Sequence, residues 1–168
     1  IAINSKGVDF GTSFINNEYL VFSSTRDSGT ISKRIHKWNN LPFMDLYQAK
    51  INDDGTFQKP KKIIGKVNTK HHETTATFTK DGKTMYFTRN NNTAKVKTKE
   101  QKLKIYRATY INDKWTNIED LSINSDLYST AHPCLSADGT KLYFVSNMPG
   151  TQGLTDIFVA SVDNNGVL

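Results

Sequence analysis

Leu135-Ser136-Ala137-Asp138-Gly139-Thr140-Lys141-Leu142-Tyr143-Phe144-Val145-Ser146 sets an Asp-Gly pair between two apolar runs. That is a hairpin signal, because glycine accepts the positive φ a tight turn requires. The run after it, Leu142 to Val145, is apolar at consecutive positions. This predicts a strand covered on both faces. Similar text stands upstream, where Lys80-Asp81-Gly82-Lys83 precedes Met85-Tyr86-Phe87-Thr88-Arg89, and again at Tyr19-Leu20-Val21-Phe22-Ser23-Ser24 behind Asn16-Asn17-Glu18.

Working outward from these hairpins, the chain repeats itself three times. Each unit opens with an aliphatic-Asn-Ser/Thr triplet: Ile3-Asn4-Ser5, Val67-Asn68-Thr69 and Ile123-Asn124-Ser125. The strand before the hairpin holds Thr12-Ser13-Phe14, Ala76-Thr77-Phe78 and Pro133-Cys134-Leu135. After the hairpin come Asp45-Leu46-Tyr47-Gln48-Ala49, Lys104-Ile105-Tyr106-Arg107-Ala108 and Asp156-Ile157-Phe158-Val159-Ala160. Polar turns follow at Asn52-Asp53-Asp54-Gly55, Asn112-Asp113-Lys114 and Asp163-Asn164-Asn165-Gly166. In the first two units Phe57 or Trp115 then opens a last stretch.

A period of this kind with four short strands per unit predicts an all-β fold, a fragment of a β-propeller. The reading is one partial propeller: blade I at 3–64, blade II at 67–121 and blade III at 123–168, the last lacking its final strand. Three blades do not close a ring, so further blades are expected from more chain. An opening Ile1 instead of Met points the same way, to a processed or excised segment.

Composition agrees and excludes some classes. Nine Phe and seven Tyr lean toward strand. Cys134 is the one cysteine, so no internal disulfide forms. No run approaches the roughly 20 apolar residues of a membrane-spanning helix. The net charge of +6 suits an acidic partner or plain solubility. No basic motif interleaved with aromatics speaks for nucleic acid.

From Trp115 to Phe158 the residues carry a family pattern: Leu121, Ile123-Asn124-Ser125, His132-Pro133, Leu135-Ser136-Ala137-Asp138-Gly139, Leu142-Tyr143-Phe144, Ser146-Asn147-Met148-Pro149-Gly150 and Thr155-Asp156-Ile157-Phe158. They resemble the WD40-like repeat of TolB-type propellers. More narrowly they resemble propellers in OmpA-family envelope proteins of Bacteroidota-type bacteria, some linked to type IX secretion. There the propeller sits between a helical repeat domain and a peptidoglycan-binding domain. Units one and two depart from the pattern, Asp81-Gly82 lacking the preceding Ser and Asn16-Asn17-Glu18 replacing Asp-Gly. The resemblance implies a periplasmic, outer-membrane-associated, non-catalytic module. It would take protein partners of the envelope, with anionic glycan or peptidoglycan reached through neighbouring domains, and need no cofactor.

In an up-and-down blade the loops between strands two and three share one rim. Two insertions fall there, Thr25 to Pro42 and Asn90 to Lys102. They carry Arg26, Lys33, Arg34, His36, Lys37 and Trp38, then Lys95, Lys97, Lys99 and Lys102. Long loops on a rigid rim commonly bind. Trp38 and Arg34 are expected as anchors for an acidic partner; solvated loops are the competing reading.

Asp9, Glu73 and Thr130 occupy one equivalent position near the start of the innermost strand. Two carboxylates near an axis suit glycoside hydrolysis as acid and base or nucleophile pair; equally, each would cap the backbone N–H groups of its loop. The other enzyme reading is the gating propeller of a serine peptidase, whose catalytic domain would lie outside this segment. His71, His72, His132 and Cys134 are metal-type donors without zinc spacing, and no metal site is expected. His132-Pro133 fits a structural hydrogen-bonding role and Cys134 a packed strand position. Asp163-Asn164-Asn165-Gly166 lacks the alternating ligands of a calcium loop and reads as a turn.

Overall fold

The computed structural model describes residues 3–26, 42–90, 101–163 and 165–168. The strands are β1 (Asp9–Ile15), β2 (Tyr19–Ser24), β3 (Asp45–Lys50), β4 (Lys61–Lys62), β5 (Glu73–Phe78), β6 (Thr84–Asn90), β7 (Leu103–Ile111), β8 (Lys114–Asp120), β9 (Thr130–Leu135), β10 (Lys141–Ser146) and β11 (Asp156–Ser161). They form three antiparallel meanders, β1-β2-β3-β4, β5-β6-β7-β8 and β9-β10-β11. The first strands lie side by side, β1 against β5 and β5 against β9. The sheets thus fan from a shared inner edge, as the blades of a partial propeller do. The fold is all-β, three blades with the last holding three strands.

Local turn chemistry explains the hairpins. Gly82 (φ 66°) and Gly139 (φ 75°) take the left-handed position after Asp81 and Asp138. The Gly82 N–H closes on the Thr79 carbonyl and that of Gly139 on Ser136. Where the first unit lacks glycine, Asn16 and Asn17 adopt φ of 49° and 56°, as do Asn112 and Asp113 at 49° and 60°. Short polar side chains tolerate that region.

The sheets pack face to face. Val21, Leu46 and Ile63 of the first meet Val67, Ala76, Met85, Phe87, Ala108 and Trp115. Tyr86, Ile105 and Leu121 then meet Leu142 and Phe144 of the third. Strand β6 is therefore buried on both faces by neighbouring sheets, while β2 packs Val21 on the second sheet and, on its other face, Leu20 and Phe22 with Tyr47, Ala49, Ile3 and Phe57. Strand β10 departs from that expectation: Leu142 and Phe144 are buried while Tyr143 is 39% exposed, because no described sheet covers its far side. Phe57 also departs from the expected pattern. It makes only an isolated bridge to Ile51, and the fourth strand shrinks to Lys61–Lys62. Pro60, which has no N–H to donate, separates the two.

Each innermost strand is kinked at its third residue. Gly11 (φ 68°), Thr75 (φ 27°) and His132 (φ 56°) take positive φ, and the strand registers slip there. Thr75 is β-branched, so the conformation costs about 1–3 kcal/mol. The neighbouring sheet offsets this: Thr75 N–H donates to Ser23 Oγ at 3.1 Å, and His132 N–H to Thr88 Oγ1 at 2.9 Å.

Candidate functional site

Asp9, Glu73 and Thr130 open β1, β5 and β9 and pair with Ser24, Arg89 and Ser146, so their equivalence holds residue for residue. The Asp9 carboxylate accepts from Ser5 N–H (2.7 Å), Ser5 Oγ (2.8 Å), Ser24 Oγ (2.6 Å) and Arg26 Nη2 (2.8 Å). Glu73 accepts from Thr69 N–H (3.1 Å), Thr69 Oγ1 (2.5 Å) and Arg89 Nε (2.9 Å). Both carboxylates thus cap the Asn-Ser/Thr loop four residues upstream and hold an arginine.

Those arginines lie over aromatic pairs. The Arg26 guanidinium carbon is 4.8 Å from the Phe22 ring centre and 5.1 Å from that of Tyr47. For Arg89 the distances are 5.0 Å to Phe87 and 5.1 Å to Tyr106. The third sheet loses acid and base together. Thr130 replaces the acid and donates to Asn124 Oδ1, while Met148 stands where Arg26 stood and packs near Phe144 and Phe158. Neither Ser146, at the register of Arg89, nor Met148, at that of Arg26, supplies an arginine beside Thr130.

The two carboxyls differ in acidity. Burial raises that of Asp9, but the hydrogen bonds from Ser24, Arg26 and Ser5 outweigh it and bring it from 3.8 to about 2. For Glu73 burial dominates and lifts it from 4.5 to about 7, over the hydrogen bonds of Thr69 and the charge of Arg89. A value near 7 suits general acid chemistry. Yet Glu73 is fully buried and its oxygens are engaged, so no substrate atom reaches it in this conformation.

The aliphatic-Asn-Ser/Thr triplet has a second role that its sequence signalled without explaining. Asn68 clasps the main chain of Leu46 in the preceding sheet, accepting its N–H at 2.7 Å and donating to its carbonyl at 2.9 Å. Asn124 does the same to Ile105, at 3.0 and 2.6 Å. Both are latches between sheets.

The other sequence candidates disperse. His72 Nδ1 accepts from Met44 N–H at 3.1 Å, and His132 Nδ1 lies 3.3 Å from Thr75 Oγ1. Among the described residues no group of three His, Cys, Asp or Glu is placed to hold a metal. Cys134 is exposed, not packed, as is His132 on the same strand. Asp163 Oδ1 accepts from the N–H groups of Asn165 and Val167, closing the turn read from the sequence. Arg26 is held by Asp9 and Ser24, with its side chain 14% exposed. Lys102 is half-buried. Lys33, Arg34, Trp38, Lys95, Lys97 and Lys99 lie outside the described residues.

Two surfaces remain as candidate sites. At the end of the sheets carrying the insertions, the anchoring strands are paired to their last residues, Ser24 with Asp45 and Asn90 with Leu103. Lys104, bridged to Asp120 and Asp126 at 3.1 and 3.0 Å, stiffens the same end. At the opposite end a cleft of about 370 Å³ opens between the first two sheets, lined by Glu18, Tyr19, Gln48, Lys83 and Tyr110 over Trp115. Comparison with family models, curated proteins and solved structures finds no match.

Proposed function

We propose that the chain is a non-catalytic propeller module that acts as an interaction platform in a bacterial envelope protein, with the basic insertions as its binding rim. The observation that carries this reading is the common anchorage of both insertions on one stiffened end of the scaffold. A rigid base lowers the ordering cost of binding through the loops it presents. The capping of loops by Asp9 and Glu73 supports the non-catalytic side, since each has a structural use that accounts for it. The resemblance of residues 115–158 to OmpA-family propellers, some tied to type IX secretion, supports the envelope setting. Lys33, Arg34, Trp38, Lys95, Lys97, Lys99 and Lys102 are the residues proposed to meet an acidic protein.

The test is capture from envelope extract at low salt, wild type against a chain with Lys95, Lys97, Lys99 and Lys102 all changed to Gln. Loss of the captured protein is expected. Unchanged capture overturns the rim assignment.

A second reading, glycan binding, is favoured by the aromatic cleft. Exposed Tyr110 packs 5.1 Å from the Trp115 ring, with amide and charged groups around it. Binding on a glycan array that is lost in Tyr110→Ala but kept in the lysine variant would select this reading.

A further inference from the structure

The two junctions between sheets are closed differently at the end away from the insertions. Gln48 and Arg107 are equivalent, pairing with Val21 and Tyr86. At the second junction the Tyr86 hydroxyl donates to the Gly166 carbonyl at 2.7 Å, and Arg107 Nη1 to that of Asn165 at 2.8 Å. These two side chains span the gap to the last turn of the third sheet. At the first junction both bridges are missing. Val21 has no polar side-chain atom, and the shorter Gln48 side chain has no hydrogen-bond partner among the described residues. The turn opposite is short as well, Asn112-Asp113 between the paired Ile111 and Lys114. What is left is the cleft of about 370 Å³, a size at which small ligands are held. Its walls are the two four-stranded sheets, both within the chain.

The floor of the cleft is fixed. Trp115 is buried between Phe78 and Tyr110, its ring 5.6 and 5.1 Å from theirs. Its N–H donates to the Ile64 carbonyl at 3.0 Å and its carbonyl accepts the Lys66 N–H at 2.8 Å, which stitches the chain leaving the first sheet to the second. Above it Tyr110 is 41% exposed. Around that ring stand Asn16, Glu18, Gln48 and Lys83, whose side chains make no hydrogen bond to another described residue. Asp81 adds a second carboxylate. The bonds it accepts from Thr79 Oγ1 (2.6 Å) and the Lys83 N–H (3.0 Å) hold its carboxyl below the usual range.

We propose that this cleft takes a pyranose unit of a glycan that carries no acidic group, an inference that rests on the glycan reading above and narrows it to a class. The C–H face of a sugar ring lies on Tyr110. Its hydroxyls, each both donor and acceptor, match a lining of two amides, an acceptor-only carboxylate and a donor-only ammonium. A purely apolar ligand would strip these groups of water and leave them unpaired, which is costly. A sugar acid would bring its negative charge to two carboxylates, Glu18 and Asp81, against the single ammonium of Lys83. The cleft therefore has the opposite charge preference to the basic insertions at the other end of the sheets.

Titration of the 168-residue chain with cellotetraose, mannotetraose and tetragalacturonate tests this. Binding is read by calorimetry and by Trp115 fluorescence in a Trp38→Phe background, where Trp115 is the one tryptophan left. Saturable binding of a neutral tetrasaccharide is expected, with tetragalacturonate at least about tenfold weaker. Gln48→Arg copies the residue of the second junction and should fill the cleft, removing binding at an unchanged urea midpoint. Glu18→Gln, at an exposed position that leaves the fold intact, should narrow the preference against tetragalacturonate. Tetragalacturonate binding as tightly as the neutral sugars overturns the class and leaves the glycan reading standing. Neutral binding that survives both Gln48→Arg and Tyr110→Ala overturns the cleft as the site. Binding of none of the three sugars overturns this inference and the glycan reading together.

Discussion

Replacing Glu73 with glutamine isolates the effect of burying a carboxyl beside an arginine. Burial lifts the Glu73 carboxyl from 4.5 to about 7 in the folded chain. Below pH 4.5 the group is protonated in both states and its contribution to stability is fully present. Between 4.5 and 7 the unfolded chain releases the proton while the folded chain keeps it, so stability falls as pH rises. At about 1.36 kcal/mol for each pH unit separating the two values, the loss is on the order of 3 kcal/mol. E73Q has no such proton. Where the wild-type group is protonated in both states there is no ionic bond to lose, so the difference there reads only the exchange of a carboxylic acid for an amide beside Arg89. From there to about pH 8 the stability difference should move by on the order of 3 kcal/mol in favour of the variant. Urea midpoints at closely spaced pH values measure it. A wild-type and variant difference that is constant across the window would refute the reasoning and show Glu73 ionised throughout as the partner of Arg89.

Asp9 titrates in the opposite sense, from 3.8 down to about 2, so its stabilisation is present above pH 3.8 and lost as pH falls toward 2. Asp9→Asn should cost about 1–2 kcal/mol at neutral pH, allowing for solvent screening, and nothing in strong acid, by thermal melts at both ends. Asn68→Ala leaves the buried Leu46 N–H without its acceptor, and Asn124→Ala does the same to Ile105. Each should lower stability by about 1–3 kcal/mol in urea titration. Gly65→Ala should be more damaging. At φ 129° an added Cβ would sit 2.1 Å from the Trp115 carbonyl oxygen, where the Lys66 N–H also bonds. A loss of about 2–4 kcal/mol, or failure to fold, is expected from calorimetry.

Much of the fold was legible because its signals are local. Asp81-Gly82 and Asp138-Gly139 specify turns through the φ that glycine allows. The unbroken apolar runs in β2 and β6 announce strands with two covered faces. The one-sided burial of β10 was not legible, since Leu142-Tyr143-Phe144-Val145 reads like its counterparts and only a neighbour's position distinguishes them. Exposure of Cys134 escaped for the same reason. The competition over Asp9 and Glu73 turned on partners the repeat did not name, Arg26 and Arg89. The joint change to Thr130 and Met148 was present in the text as its one clue.

The amino-acid order by itself determined the strands, their turns and their threefold recurrence, because backbone conformation and side-chain alternation are set by residues close in the chain. Stacking decided the rest. The bonds of Arg26 to Asp9, Asn68 to Leu46 and His132 to Thr88 span 17, 22 and 44 residues. The first pair meets once its own hairpin closes and the other two only once sheets lie face to face, and so acidity and latching belong to the tertiary structure.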